Sequence, residues 1–202
     1  MPEQKPRDIS RIVPDPTALK ALAHPVRLRM LGLLRIDGPA TASGLALRLG
    51  LNSGSTSYHL RQLALHGFIE EAPERGSRRD RWWRARHEAT NFSTSDADGE
   101  VLESGLAFGQ AALNWQMQQM RGALREYAGL PLPWRKASSI SDYAIPMTAE
   151  GAADLVKRLQ DLLEEALAAV PPLGTPLPDD MRPFAVILHA APYVTEPGEG
   201  RK

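Results

Sequence analysis

Residues 41–69 read TASGLALRLGLNSGSTSYHLRQLALHGFI, and this stretch decides the fold. Thr41 or Ser43 can start a short helix that turns Leu45, Ala46 and Leu49 to one side. Gly50 follows where a helix end favours a left-handed residue. Asn52 is placed to cap the next helix, over about Ser53–His66, with Thr56, Leu60 and Leu63 on its inner face and Gly67 as its stop. Two short helices joined by a tight turn make a helix-turn-helix, whose second helix can enter a DNA major groove.

Upstream, Asp15 or Thr17 can cap a helix carrying Leu19, Leu22 and Ala23. His24-Pro25 ends it, and Pro25 suits the first turn of another helix, since its missing N–H costs nothing there. That helix has a wide apolar face from Val26 to Leu34 and stops at Asp37-Gly38-Pro39. Downstream, Phe68–Ala72 and Arg81–Ala85 read as strands around a turn-rich basic loop. Trp82 and Trp83 alternate across the second strand, so one should pack on the helices.

The outer face of the second motif helix holds Ser53, Gly54, Ser57, Tyr58 and Arg61. Small groups allow close approach to a groove floor, hydroxyls bond bases or phosphates, and arginine pairs with phosphate or guanine. The hairpin tip adds Arg75, Arg78, Arg79 and Arg81, suited to flanking phosphates or a narrow minor groove. Charge agrees with this placement. The 202 residues carry no net charge, yet residues 1–90 sum to +6 and residues 91–202 to −6.

Three ordered pieces carry a family resemblance. Ala21-Leu22-Ala23-His24-Pro25-Val26-Arg27-Leu28-Arg29-Met30-Leu31 is the first. Ser57-Tyr58-His59-Leu60-Arg61-Gln62-Leu63, with His66-Gly67-Phe68-Ile69 after it, is the second, and Gly76–Arg84 is the third. Together, over roughly residues 17–88, they resemble ArsR-like winged-helix regulators. The resemblance implies a homodimer on a near-palindromic operator, usually as a repressor. It implies DNA contacts from Ser53, Ser55, Ser57, Tyr58, His59 and Arg61 as well as the wing arginines. Gly54 departs from the small polar residue or proline common at its position.

The family's metal sensing does not carry over. The chain has no cysteine, which excludes disulfides, thiolate metal sites and thiol redox sensing within it. Its five histidines show no ligand spacing, and His24 reads as an ordering residue. No metal and no cofactor are expected. Glycine-rich phosphate loops, nucleophile elbows and paired His/Glu motifs are all missing, so an enzyme is not expected and no catalytic residue is named. The other reading is a dimeric winged-helix adaptor that works through protein contacts without DNA.

The expected architecture is mostly α with small β. It comprises a flexible tail over 1–16, a winged helix-turn-helix over 17–90 and a long dimerisation helix over 97–128. A small C-terminal strand-helix-strand (α+β) extension over 134–191 and a flexible tail over 192–202 complete it. In the long helix Leu102, Leu106, Leu113, Met120 and Leu124 form a coiled-coil-like seam, suited to pairing with a twin across a two-fold axis. Ile140–Ile145 and Phe184–His189 read as strands about a helix capped by Thr148. Trp115, Trp134 and Tyr143 are candidates for a small-molecule effector pocket, although core and dimer packing is their plainer reading. The polar N-terminus and the lack of any long apolar run give no membrane partner and a cytoplasmic expectation.

Overall fold

The computed structural model describes residues 7–75, 81–92 and 94–193. Seven helices and five short strands follow in the order β1 (Arg11–Ile12), α1 (Pro16–Leu22), α2 (Pro25–Ile36), β2 (Ala40–Thr41), α3 (Ala42–Leu49), α4 (Ser53–Leu65), β3 (Ile69–Glu71), β4 (Trp82–Ala85), β5 (Ala89–Thr90), α5 (Gly99–Glu126), α6 (Leu132–Ala137) and α7 (Ala149–Ala168). The mostly helical class with a small sheet holds, and the winged helix-turn-helix forms at the N-terminal end.

Local chemistry sets the helix starts. Asp15 accepts the Ala18 N–H at 2.8 Å, and Thr148 accepts that of Gly151 at 3.1 Å. At α2 the cap is an imidazole: His24 Nδ1 accepts the Val26 N–H at 3.2 Å. His24 is thus an ordering residue, as its place before Pro25 suggests. The core gathers Leu22, Met30, Leu31 and Leu34 from α1 and α2, Leu45 from α3, and Leu60 and Leu63 from α4. Phe68, Ile69 and Trp83 close it from the sheet. Each such side chain contributes roughly 1.5–3 kcal/mol by leaving water.

The wing sheet has order β2-β4-β3, antiparallel throughout, with Ala40 opposite Trp83 and Glu70 opposite Arg84. Trp83 enters the core while Trp82 faces away from it. The sequence pattern predicts two strands here. Ala40–Thr41, the third, is too short to carry an alternating pattern.

Residues 7–15 differ from the expected flexible tail. Arg11–Ile12 pairs in parallel with Ala89–Thr90, and Arg7 makes a 2.7 Å ion pair with Glu88. Arg7 also donates to the Val170 carbonyl at 2.8 Å, tying this segment to the end of α7. Arg35 Nε donates to the His87 carbonyl at 2.9 Å, and its burial pulls the guanidinium down to about 10.

The long helix α5 packs on α1 and α2. Gly105 makes close approach possible: a Cβ there would collide with Phe92 and Thr94. The two strands expected in the extension do not form; only the helix between them does. Among the described residues neither 140–145 nor 184–189 makes a backbone hydrogen bond to another segment. Apolar runs signal a wish for burial, whereas a strand also needs a ladder partner for its N–H and C=O groups. The short helix α6, directly after Pro131, was not anticipated.

Candidate nucleic-acid interface

The motif turn is built by side chains that cap. Thr41 Oγ1 accepts the Gly44 N–H at 3.1 Å, and Asn52 Oδ1 accepts that of Ser55 at 2.7 Å. Between them Gly50 takes the left-handed conformation at φ 66°, and the Leu51 N–H reaches the Ala46 carbonyl at 2.9 Å. Thr56 is fully buried and donates to the Asn52 carbonyl at 3.0 Å, which locks the first turn of α4.

Helix α4 contains no acidic residue, so beyond the neutral Asn52 cap no carboxylate of the helix offsets the partial positive charge at its N-terminus. Ser53, Gly54, Tyr58 and Arg61 are exposed, and Ser55 and Ser57 are half-buried. Arg61 Nε donates to the Ser57 carbonyl at 3.2 Å, which lays the guanidinium along the helix. Ser53, Gly54, Ser57, Tyr58 and Arg61 fall on one face, and Ser55 lies at its edge.

His59 leaves this set. It is 8% exposed, and its ring lies 4.6 Å from that of His24 and 5.4 Å from that of Tyr58. The expectation of a DNA contact from His59 is therefore corrected. With Thr56 at i−3 and Leu63 at i+4, His59 falls on the inner face, a spacing the sequence itself displays. Burial first, then the charges of His24 and Arg27, holds the His59 imidazole below its usual range.

On the wing, Arg75 is exposed at the end of a single turn of 3₁₀ helix. Arg81 meets Glu71 at 3.3 Å and lies 5.8 Å from the Trp83 ring centroid. That pair is solvated and worth little, so the guanidinium can be redirected to a phosphate. Arg84, which was not singled out from sequence, holds Glu70 at 2.8 Å and Glu74 at 2.9 Å. Arg78 and Arg79 lie outside the described residues.

Along α5, Leu106, Leu113, Met120 and Leu124 are exposed, and Leu102 is half-buried. Ile187 and His189 from the C-terminal segment lie beside Leu113 and Met120. The proposed effector trio is not assembled, a second correction. Trp134 sits by Phe184 at 6.4 Å and by Arg182 at 5.3 Å, and Tyr143 is 83% exposed. Trp115 instead lies against α2, with its ring 3.4 Å from where a Gly32 side chain would begin. Trp115 is on α5, Trp134 on α6 and Tyr143 in the segment between α6 and α7.

Among the described residues no three His, Asp or Glu side chains converge as a metal site would require. No described helix is long and apolar enough to cross a membrane.

Comparison with known proteins agrees with the motif. A family model described as a helix-turn-helix domain matches residues 22–72, the span that holds α2, α3, α4 and β3. A search of curated proteins gave no match. Among solved structures, reduced HlyU from Vibrio cholerae is 28% identical, over 33% of this chain and 66% of that one, with a TM-score of 0.30. ZitR from Lactococcus lactis is 14% identical over 71% and 83% of the two chains, with a TM-score of 0.32. Wild-type MarR from E. coli is 14% identical over 73% and 87%, with a TM-score of 0.32. Residues 22–72 thus form a helix-turn-helix domain, an element of DNA-binding transcriptional regulators.

Proposed function

We propose that the chain is a transcriptional regulator that binds a near-palindromic operator as a homodimer and represses from it. One observation carries the reading. The exposed face of α4 is small, hydroxylated and cationic, is free of acids, and starts at a helix N-terminus with no acidic residue in its first turn. Such an end favours phosphate, and Ser53, Ser55, Ser57, Tyr58 and Arg61 would meet backbone and base edges in the major groove. Arg75, Arg78, Arg79 and Arg81 would reach the flanking backbone, the middle two by sequence placement alone.

The apolar residues Leu106 and Leu124, left exposed on α5, support the dimer. Two copies joined there would present two α4 helices, and a two-fold operator with half-sites about one helical turn apart would answer them. The resemblance of residues 17–88 to ArsR-like regulators supports repression, and the missing cysteines and histidine pairs support an effector other than a metal.

The test is fluorescence anisotropy with fragments from the chain's own promoter region, at about 50 mM salt, where phosphate contacts are strongest. Saturable binding that weakens steeply with salt supports the reading. No binding to any genomic duplex in dilute buffer would remove it and leave a protein-binding adaptor.

A further inference from the structure

Residues 140–145 and 184–189 have the composition of strands, yet among the described residues no backbone group of either bonds to another segment. Their apolar side chains are uncovered as well: Ile140 is 89% exposed, Phe184 54% and Val186 58%. Residues 184–189 read FAVILH, without a lysine, an acid or a proline to deter pairing. Proteins blunt an open apolar edge with such residues, because otherwise another chain pairs with it. The two segments are also well placed for a partner. Ile187 and His189 lie beside Leu113 and Met120 of α5, which sets 184–189 against the seam assigned to the two-fold contact. Helix α7 buries no residue fully and leaves Leu159 and Leu162 exposed. Its C-terminal end is tied to its own chain, by Arg7 at the Val170 carbonyl (2.8 Å) and by Arg11 at Glu164 (2.9 Å). A helix of 20 residues is about 30 Å long, so residues 140–145, just before its start, stand far from that anchor.

We propose that residues 140–145 of one copy pair with residues 184–189 of a second copy, once on each side of the two-fold axis, so that the extension becomes a sheet only in the dimer. A second copy is the fitting occupant because each chain brings two unpaired segments, and a reciprocal exchange satisfies all four. Pairing 184–189 with its own twin would leave both 140–145 segments open. Alternation turns Phe184, Val186 and Leu188 away from α5, and all three are exposed. Helix α7, entered directly from 140–145, would bring Leu159 and Leu162 to cover them. The proposal rests on the homodimer reading and is independent of the DNA reading.

Cross-linking identifies the paired segments, because the native chain contains no cysteine. Tyr143→Cys and Val186→Cys, carried by separate full-length chains with tags of different size, are mixed, left to exchange subunits and treated with a short bismaleimide. A cross-linked mixed dimer is expected. Amide hydrogen exchange in the wild-type dimer should be slow over both segments and should quicken on dilution to monomer. Val186→Glu, at a position exposed in the single chain, should weaken the dimer about tenfold or more while leaving the helical content intact. A wild-type chain that sediments as a monomer at micromolar concentration would remove the homodimer reading and this one together. Other results remove this pairing alone and leave the α5 dimer standing. One is a dimer whose two segments exchange as fast as in the monomer. Another is Val186→Cys that links only to its own twin. The last is a chain carrying both cysteines that links within itself while the mixed chains do not link.

Discussion

The imidazoles of His24 and His59 lie 4.6 Å apart, tilted by 42°, and join the start of α2 to the middle of α4. His24 Nδ1 accepts a backbone N–H, so that nitrogen carries no proton in the folded state. His59 Nδ1 is buried without a partner. Arg27 is the nearby cation and Tyr58 the neighbouring phenol. Burial leads the causes that hold both histidines below the ordinary value, and Arg27 adds to it for each. His87 is lowered too, by burial and then by Arg86 and Arg35. With these imidazoles depressed, the unfolded chain binds protons before the folded one does. Stability is then complete above about pH 6.5, falls as pH drops through that value, and levels once the folded histidines also protonate. The urea midpoint should be lower at pH 5.5 than at pH 7.5. His24→Asn, which keeps a capping side chain, should shrink that difference but not abolish it, because His59 and His87 still titrate. Equal midpoints at both pH values would contradict this account.

Asn52 has two separable roles. As a cap it satisfies the Ser55 N–H, and Asn52→Ala should cost about 1 kcal/mol of stability. Aspartate caps as well as asparagine and favours the positive end of a helix, so Asn52→Asp should leave thermal stability within a few tenths of a kcal/mol. The same substitution puts a carboxylate on the face assigned to phosphate. Operator affinity should fall even though the fold is intact. Paired melting and anisotropy measurements on the two variants separate capping from recognition.

How much of this was legible depended on the distance over which each cause acts. Asp15, Thr41, Asn52 and Thr148 cap through neighbours three residues away, and Gly50 and Gly67 stop helices on the spot, so these elements could be read directly. The β1–β5 pair joins residues 78 positions apart through strands of two residues, too short for any period to show. For His59 the spacing from Thr56 and Leu63 already marked an inner position, yet the family resemblance assigned it outward. Ile140–Ile145 and Phe184–His189 carry strand composition, but composition does not supply a partner edge.

The α5 face gives a test of assembly. Leu106 is 62% exposed and Leu124 61% exposed in the single chain, so neither supports its core. Leu106→Glu and Leu124→Glu should leave the isolated chain folded and place charges on the proposed seam. A dimer at micromolar concentration should become monomeric in sedimentation equilibrium, and operator affinity should drop with it. A dimer that survives both substitutions would move the two-fold contact elsewhere.

Arg61 and Arg84 should respond differently to removal. Arg61 makes no ion pair among the described residues and spends only its Nε on the Ser57 carbonyl, which leaves the rest of the guanidinium to a phosphate. Arg61→Ala should weaken operator binding by about 1–3 kcal/mol and lower the salt slope by about one. Arg84 instead neutralises Glu70 and Glu74 at the root of the wing. Arg84→Ala frees two carboxylates near the DNA path, so affinity should fall by repulsion while no phosphate contact is lost. Glu70→Gln with Glu74→Gln in the Arg84→Ala background should then restore most of the affinity. The same pair of changes in the Arg61→Ala background should not. Anisotropy titrations at several salt concentrations distinguish the two cases. Equal rescue in both backgrounds would mean that Arg61 acts through general charge rather than through a contact of its own.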